Sequence, residues 1–243
     1  VPMPAGSSRG FLANQNLDHL RARRQTPPYD RLWQRLRERT QAVARASLAA
    51  NFPACGGGLG WHGHAPMLPE VALLVLLDDD AEMLAFFTAA LTTIDQQIRE
   101  AAAAGKRLPI HSLSALAVAA DVIRDRLPAP TRQLLLALMR EHAIPYHTGA
   151  ASYRAHQGGN NISWCQNVIA SICALLWGEE AGYGDWRQVV QHGINHSRCY
   201  LRVGTDAAGF SYEGTGYGHG VFALLFAQVE LLRLSGVSDL YDS

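Results

Sequence analysis

The feature that most limits how this chain can fold is a succession of helical apolar runs with almost no strand-like alternation between them. No stretch alternates apolar and polar residues for long, and clusters of β-branched residues are few. Apolar residues instead recur with a helical period in about eight runs, mostly of roughly 12 to 20 residues, and glycine or proline separates the runs. The sequence therefore predicts an all-α fold.

The predicted helices come in pairs at fairly regular spacing. Their ranges are 16–24, 29–50, 69–104 with a break near Asp78–Asp80, 112–127, 131–142, 162–180, 185–203 and 218–234, after an irregular lead-in over residues 1–14. Paired helices at such spacing are typical of a helical solenoid or of a closed helical toroid. The absence of a repeated consensus argues against a superhelical repeat protein.

Composition excludes few functions. The chain has 243 residues, with 21 basic and 21 acidic side chains, so its net charge gives no indication of nucleic-acid or membrane binding. No apolar run is long enough for a membrane span, and residues 1–8 do not resemble a signal peptide. The four cysteines have no CxxC spacing, and we expect buried free thiols. A local group of arginines could still bind an acidic substrate.

Two glycine-rich segments carry most of the chemically capable side chains. They are Tyr153–Trp164 and Gly209–Gly220, and each leads directly into a long apolar helical run. Glycine allows the backbone to approach a ligand closely, while tyrosine, histidine and asparagine can move protons or hold carboxylates. We expect one site built from the N-terminal ends of two helices.

Each candidate in these segments also has an ordinary structural interpretation. Asn160 and Asn161 precede an apolar helix, where asparagine is a preferred cap, but only one of the two can be the cap. The other can present its amide to an anion near the positive end of the helix dipole. Tyr212 and Tyr217 could be packed tyrosines, and His156 could be solvated. The nearby residues Glu213 and His219 favour a functional cluster.

Other candidates lie outside these two segments. His192 and His196 are four residues apart, a spacing that can hold a metal, but no glutamate follows the first histidine as in zinc proteases. Trp61 and His62 lie in a glycine-rich loop that could contact a sugar ring. Arg198 and Arg202 could hold an anion or pair with acids. The sequence predicts no metal site, and it contains no Walker loop, GxSxG motif or dinucleotide fingerprint.

The two segments resemble the active-site motifs of heparinase II/III-type polysaccharide lyases. The run Asn160-Asn-Ile-Ser-Trp-Cys-Gln-Asn167 is similar to the segment that carries their active-site asparagine or histidine. Glu213-Gly-Thr-Gly-Tyr217 resembles their tyrosine-bearing E-G-x-x-Y stretch, and the separation from Asn161 to Tyr217 is also similar. Leu17–Arg23 and Pro28–Trp33 resemble the start of their helical domain.

This resemblance implies an (α/α) toroid, an incomplete helical barrel of antiparallel helix pairs that occupies residues 1–243 as one domain. Alginate lyases and uronate epimerases are related enzymes. The family also uses a later histidine and carries β-sandwich domains after the toroid, so the chain is expected to be the N-terminal part of a larger lyase and to contact those domains. A periplasmic or secreted location follows from the substrate class. No cofactor is required, although a structural divalent metal elsewhere in a longer protein is compatible with the resemblance.

The implied reaction is β-elimination of a uronic-acid-containing polysaccharide. Asn161 corresponds to the group that neutralises the uronate carboxylate, and Tyr217 to the base or acid, with His156 and His219 as further catalytic candidates. The candidates for substrate binding are Asn160, Trp164, Tyr212, Glu213, Arg198, Arg202, Trp61 and His62. Three alternatives stay open: a non-catalytic glycan-binding scaffold, a toroidal glycoside hydrolase that uses Glu213 as its acid, and a uronate epimerase.

Overall fold

The described residues form α-helices and contain no β-strand. The computed structural model describes Gly10 and residues 17–49, 67–105, 111–146, 161–203 and 214–240. The helices are α1 (Leu17–Arg23), α2 (Tyr29–Ala49), α3 (Leu68–Asp78), α4 (Ala81–Ala103), α5 (His111–Val122), α6 (Ala129–Leu138), α7 (Asn161–Trp177), α8 (Trp186–Val203) and α9 (Gly214–Leu234). The predicted all-α class is confirmed. Within the described ranges no helix is long and apolar enough to cross a membrane.

The chain divides into two compact units, Leu12–Leu135 and Leu136–Ser243, the second of which also includes Val1–Phe11. The prediction of a single domain over residues 1–243 stays a prediction. In the first unit α3 packs against α4 and α5, and α2 packs against α3 and α4. In the second unit α7 packs against both α8 and α9.

The core of the first unit is centred on α3, whose sequence is apolar on nearly every side. Seven of its residues are buried: Leu68, Val71, Ala72, Leu74, Val75, Leu76 and Leu77. A helix that is apolar all round has to be covered by other helices, and here those are α2, α4 and α5. Asp79, which ends α3, takes a left-handed backbone conformation with φ 52°. Asp80 caps α4 by accepting a hydrogen bond from the Met83 backbone N–H at 3.1 Å.

Several predicted boundaries differ from the observed ones. The run predicted over 112–127 ends as an α-helix at Val122 and continues as one 3-10 turn, Arg124–Arg126. Arg124 folds back there onto Asp121, and the two buried side chains form an ion pair at 2.8 Å. The run predicted over 131–142 is α6 followed by a π-type turn, Met139–Ala143.

The most consequential difference is the start of α9. The glycines around Tyr217 predict a loop up to residue 217, but the helix begins at Gly214. A glycine costs only about 1 kcal/mol relative to alanine inside a helix, so tertiary packing can extend a helix through glycine-rich sequence. Tyr217 and His219 therefore belong to the first turns of α9 rather than to the loop before it.

Candidate functional site

Helices α7 and α8 pack against each other in opposite directions. Gly178 at the end of α7 lies against Trp186 at the start of α8, and Ser171 lies against Gly193. Ser171 also donates a hydrogen bond to the Val190 carbonyl at 3.4 Å. Residue numbers that rise along α7 thus meet falling numbers along α8, which defines an antiparallel pair.

The close approach of α7 and α8 depends on a glycine inside α8. A Cβ atom built on Gly193 would come within 3.0 Å of both side-chain atoms of Ser171, and it would lie 2.9 Å from Nε2 of Gln228. Real Cβ atoms do not approach other atoms so closely, so only glycine fits this position without a shift of the helices. Glycine at position 193 therefore allows α7, α8 and α9 to approach one another closely.

A buried polar cluster joins α7, α8 and α9 at the same level. Ser197 donates to Oε1 of Gln228 at 2.5 Å, and Nε2 of Gln228 donates to Oγ of Ser171 at 3.2 Å. Ser171 is 1% exposed, and Ser197 and Gln228 are 0% exposed. Buried hydrogen bonds of this kind fix the register of helices, because an axial slip would leave polar atoms unsatisfied. We call Ser171, Ser197 and Gln228 the polar cluster.

The antiparallel pairing places the end of α8 beside the start of α7. Val203 lies ten residues after Gly193, and Asn161 lies ten residues before Ser171. At a rise of 1.5 Å per residue, both helix ends are about 15 Å from the Gly193–Ser171 contact in the same direction. The last turn of α8 and the first turn of α7 therefore share one end of the second unit.

The direction of α9 follows from the length of chain that connects it to α8. Gly214 lies fourteen residues, about 21 Å, before Gln228 in the polar cluster. Gln228 contacts both Gly193 and Ser197 of α8, which lie about 15 and 9 Å before Val203 along the helix axis. If α9 ran antiparallel to α7, Gly214 and Val203 would therefore be about 30–36 Å apart along that axis. The eleven residue steps between them reach at most about 36–40 Å, so only a nearly or fully extended chain could join them. We therefore infer that α9 runs parallel to α7.

With this direction, the first turns of α7 and α9 lie at the same end and at nearly the same height. Asn161 is ten residues before Ser171, and Tyr217 is eleven residues before Gln228, which corresponds to about 15 and 16.5 Å above the polar cluster. Eleven residues are close to three full helical turns, so position 217 lies on the face of α9 that carries Gln228. The hydrogen bonds of Gln228 to Ser171 and Ser197 show that the face of α9 at Gln228 is directed towards both α7 and α8.

The electrostatics of this end suit an anion. The N-termini of α7 and α9 each carry the positive end of a helix dipole. Arg198 and Arg202 lie in the last two turns of α8, and both are exposed. Because α8 is antiparallel to α7, Arg202 is level with the start of α7. The C-terminus of α8 brings the negative end of its own dipole to this end, but the charges of the two guanidinium groups outweigh it. The two helix N-termini and the two guanidinium groups can therefore attract a carboxylate.

The structure describes the predicted site residues unevenly. For Asn161, Trp164, Tyr217 and His219 it gives the helical backbone position but not the side chain. His156, Asn160, Tyr212, Glu213, Trp61 and His62 lie outside the described residues. Arg198 and Arg202 are the two predicted site residues whose side chains are described. The roles assigned to all these residues stay predictions.

The histidine pair on α8 lies two to three turns from this end. His192 is exposed and His196 is half-buried, and burial, with a smaller contribution from the charge of His192, lowers the pKa of His196. No group of three or more histidine, cysteine or acidic side chains able to hold a metal occurs among the described residues. A lowered pKa keeps the His196 imidazole neutral at neutral pH.

Sequence reasoning missed the polar cluster and Gly193. The signal was present, since Ser171 and Gln228 interrupt apolar helices and Gly193 lies inside a helix without any need for a turn. What no sequence pattern indicated is that these residues meet. Comparison with known proteins adds no relative: no family model, no curated protein and no solved structure matches the chain.

Proposed function

We propose that the chain is the helical part of a polysaccharide lyase that cleaves a uronic-acid-containing polysaccharide by β-elimination. The observation that carries the proposal is the hydrogen bond between Gln228 and Ser171, from which we infer that α7 and α9 share one end and that positions 161 and 217 have nearly the same height above the polar cluster. Two side chains that bind the same sugar ring must lie at the same end of their helices and at similar heights. An (α/α) toroid, an acidic glycan substrate and a periplasmic or secreted location belong to the same proposal.

In this mechanism the Asn161 amide donates a hydrogen bond to the uronate carboxylate. Removal of the C5 proton places negative charge on that carboxylate, and a positioned donor stabilises the charge by about 3–4 kcal/mol, as measured for oxyanion donors. The Tyr217 phenolate takes the C5 proton, the C4–O4 bond breaks, and its electrons leave with O4. The electron pair from C5 becomes the C4–C5 double bond, and a proton transferred to O4 completes the leaving group.

The positive charges at the end where α7 and α9 begin support an acidic polysaccharide as the substrate. Arg198 and Arg202 are exposed on the last turns of α8 and can pair with carboxylates of neighbouring sugar residues. No redox cofactor takes part in this reaction.

The test is the Tyr217→Phe variant, with Tyr183→Phe as its matched control. Tyr183 lies in the turn between α7 and α8, at the opposite end of this helix pair, so its hydroxyl is far from the proposed site. Product formation from alginate and other uronate polymers is followed by the ultraviolet absorbance of the unsaturated uronate. Tyr217→Phe should reduce the rate by at least about 100-fold, while Tyr183→Phe should retain it.

The products distinguish the alternatives. Full activity of Tyr217→Phe contradicts the proposal. A saturated product that disappears with Glu213→Gln identifies a glycoside hydrolase, and exchange of the C5 proton without cleavage identifies an epimerase. Tight binding of uronate polymers without any of these reactions identifies a glycan-binding scaffold. Circular dichroism of each variant checks that the helices are intact.

A further inference from the structure

Arginine is concentrated at the start of the first unit. Residues 17–49 contain eight of the 21 basic residues of the chain but only three acidic ones, Asp18, Asp30 and Glu38. The chain as a whole has no net charge, so α1 and α2 form a locally basic segment within a neutral protein. Such a segment either forms intramolecular ion pairs or presents its charge to another molecule.

Five of these eight arginines have partners within the first unit. Arg45 makes two hydrogen bonds to the Glu82 carboxylate at 2.7 and 2.8 Å, and Arg21 donates to the Leu76 carbonyl at 3.0 Å. The remaining three are paired through a carboxylate or a tyrosine: Arg24 and Arg37 with Asp78, and Arg23 with Tyr29. The Arg23 contact joins α1 to α2, and the other four contacts join α1, α2 and the turn between them to the end of α3 or the start of α4, so the five arginines have structural roles.

Arg31, Arg35 and Arg39 differ from the other five. All three are exposed, and their guanidinium groups have no acidic partner within the described part of the chain. All acidic residues of the chain except Asp206, Glu213 and Asp242 lie in that part. The three arginines are therefore not used to neutralise the protein's own described carboxylates.

The spacing of the three arginines aligns them. They recur every four residues, which places them along one ridge of α2 with a rise of about 6 Å from each to the next. The buried face of α2, formed by Thr40, Ala44 and Ser47, points the opposite way. Glu38 lies beside the ridge and accepts a hydrogen bond from Gln34 at 2.9 Å. We call Arg31, Arg35 and Arg39 the arginine ridge; even with Glu38 it stays positive.

We propose that the arginine ridge binds an extended acidic glycan, at a surface additional to the lyase site. A row of cations with a regular repeat suits a linear polymer that carries an anion on successive units, and guanidinium groups bind carboxylates and sulfates by paired hydrogen bonds. The choice of a glycan as the polymer rests on the proposed function. The ridge would hold long substrates on the protein between cleavage events.

Nucleic acid fits the ridge less well. Proteins that bind single strands stack bases on exposed aromatic rings. The aromatic residues of α2 are engaged with arginines at the end of α1 and just after it: Arg23 lies 4.3 Å from the ring centre of Tyr29, and Arg24 lies 5.5 Å from that of Trp33. Three unpaired cations are also few compared with the phosphate contacts of duplex-binding proteins.

The test compares two triple variants that remove the same charge. The first is Arg31→Gln/Arg35→Gln/Arg39→Gln. The control is Arg140→Gln/Arg187→Gln/Arg233→Gln, which changes three exposed arginines outside α1 and α2. Binding to a fluorescein-labelled alginate chain, a neutral dextran and an oligo-dT strand is measured by fluorescence anisotropy at several salt concentrations. The ridge variant should bind alginate about tenfold more weakly and with a smaller dependence on salt, and the control should bind like the unmodified protein.

The outcomes separate this proposal from the lyase proposal. If both variants lose the same affinity for alginate, or if the ridge variant loses none, the arginine ridge is not a glycan-binding surface. Tighter binding of oligo-dT than of alginate, lost in the ridge variant alone, overturns the glycan as its ligand. If the unmodified protein binds alginate through the ridge but releases no unsaturated product from any uronate polymer, the ridge stands and the lyase proposal fails. If the protein is a lyase, the ridge variant should show a raised KM for long polymers with kcat unchanged.

Discussion

The contact between Gly193 and Ser171 yields a prediction whose size can be worked from the structure. In Gly193→Ala the added Cβ would lie within 3.0 Å of Ser171 Cβ, which cannot rotate away, and 2.9 Å from Nε2 of Gln228. Overpacking of this kind costs about 1–3 kcal/mol, and a weakened buried hydrogen bond of Gln228 costs about 1 kcal/mol more. Alanine regains about 1 kcal/mol through its higher helix propensity. We expect a net loss of roughly 2 kcal/mol.

The assay is urea unfolding followed by circular dichroism, with Gly184→Ala as the matched control. Gly184 lies in the turn between α7 and α8, where an added Cβ meets nothing within 4 Å. The control should unfold at nearly the same urea concentration as the unmodified protein, whereas Gly193→Ala should unfold at a lower one with a similar slope. In the double variant Ser171→Gly/Gly193→Ala the clash is relieved, so its loss should be smaller than the sum of the two single losses.

Two results would refute this reasoning. If Gly193→Ala were as stable as the control, the close approach of α7 and α8 would not limit the packing. If the double variant lost the full sum of the single changes, the two positions would not be in contact. Because we infer that the polar cluster also sets the heights of positions 161 and 217, Gly193→Ala should lower the proposed lyase activity more than Gly184→Ala.

Two further predictions concern titratable groups of the second unit. The expectation of buried thiols is wrong for Cys199, which is exposed, whereas Cys165 and Cys173 are buried. Burial raises the pKa of the Cys173 thiol well above its ordinary value, so iodoacetamide at pH 8 should label Cys199 in the native protein and leave Cys173 unlabelled until urea is added. Mass spectrometry distinguishes the two cysteines, and equal labelling of both in the native protein would contradict the burial of Cys173. Burial lowers the pKa of His196 in the folded state. Near the ordinary histidine pKa of about 6.5, the unfolded chain therefore binds more protons at His196 than the folded protein does. The free energy of unfolding should fall as the pH drops through this range. The variant His196→Gln should remove that part of the pH dependence. The free energy of unfolding is measured for both proteins between about pH 5 and 8, and the same change with pH in both would contradict the prediction.

The local sequence determined where most helices lie. The apolar spacing of α2 and α3 and the breaks at Pro27–Pro28 and Asp78–Asp80 are signals that act within a few residues of the chain, so the predicted and observed ranges agree closely. Boundaries failed where a tertiary contact competes with local preference. Examples are the turn at Arg124, which folds back onto Asp121, and the glycine-rich start of α9.

The candidate site was proposed from residue types, and its geometry depends on contacts that no local pattern contains. The sequence indicated that Asn161 and Tyr217 precede helices, but the common end of α7 and α9 is inferred from the Gln228 contacts across three helices together with the length of chain between α8 and α9. Likewise, eight arginines can be counted in residues 17–49, but the sequence does not say which are paired.

The sequence by itself determined the helical class, the approximate helix ranges and the two polar segments, because helix formation and chain breaks depend on neighbouring residues. Only the tertiary structure decided the register of α7, α8 and α9 and the separation of paired from unpaired arginines on α2. Those features depend on side chains far apart in the chain, such as Ser171 with Gln228 and Arg45 with Glu82, which meet only after the helices have packed.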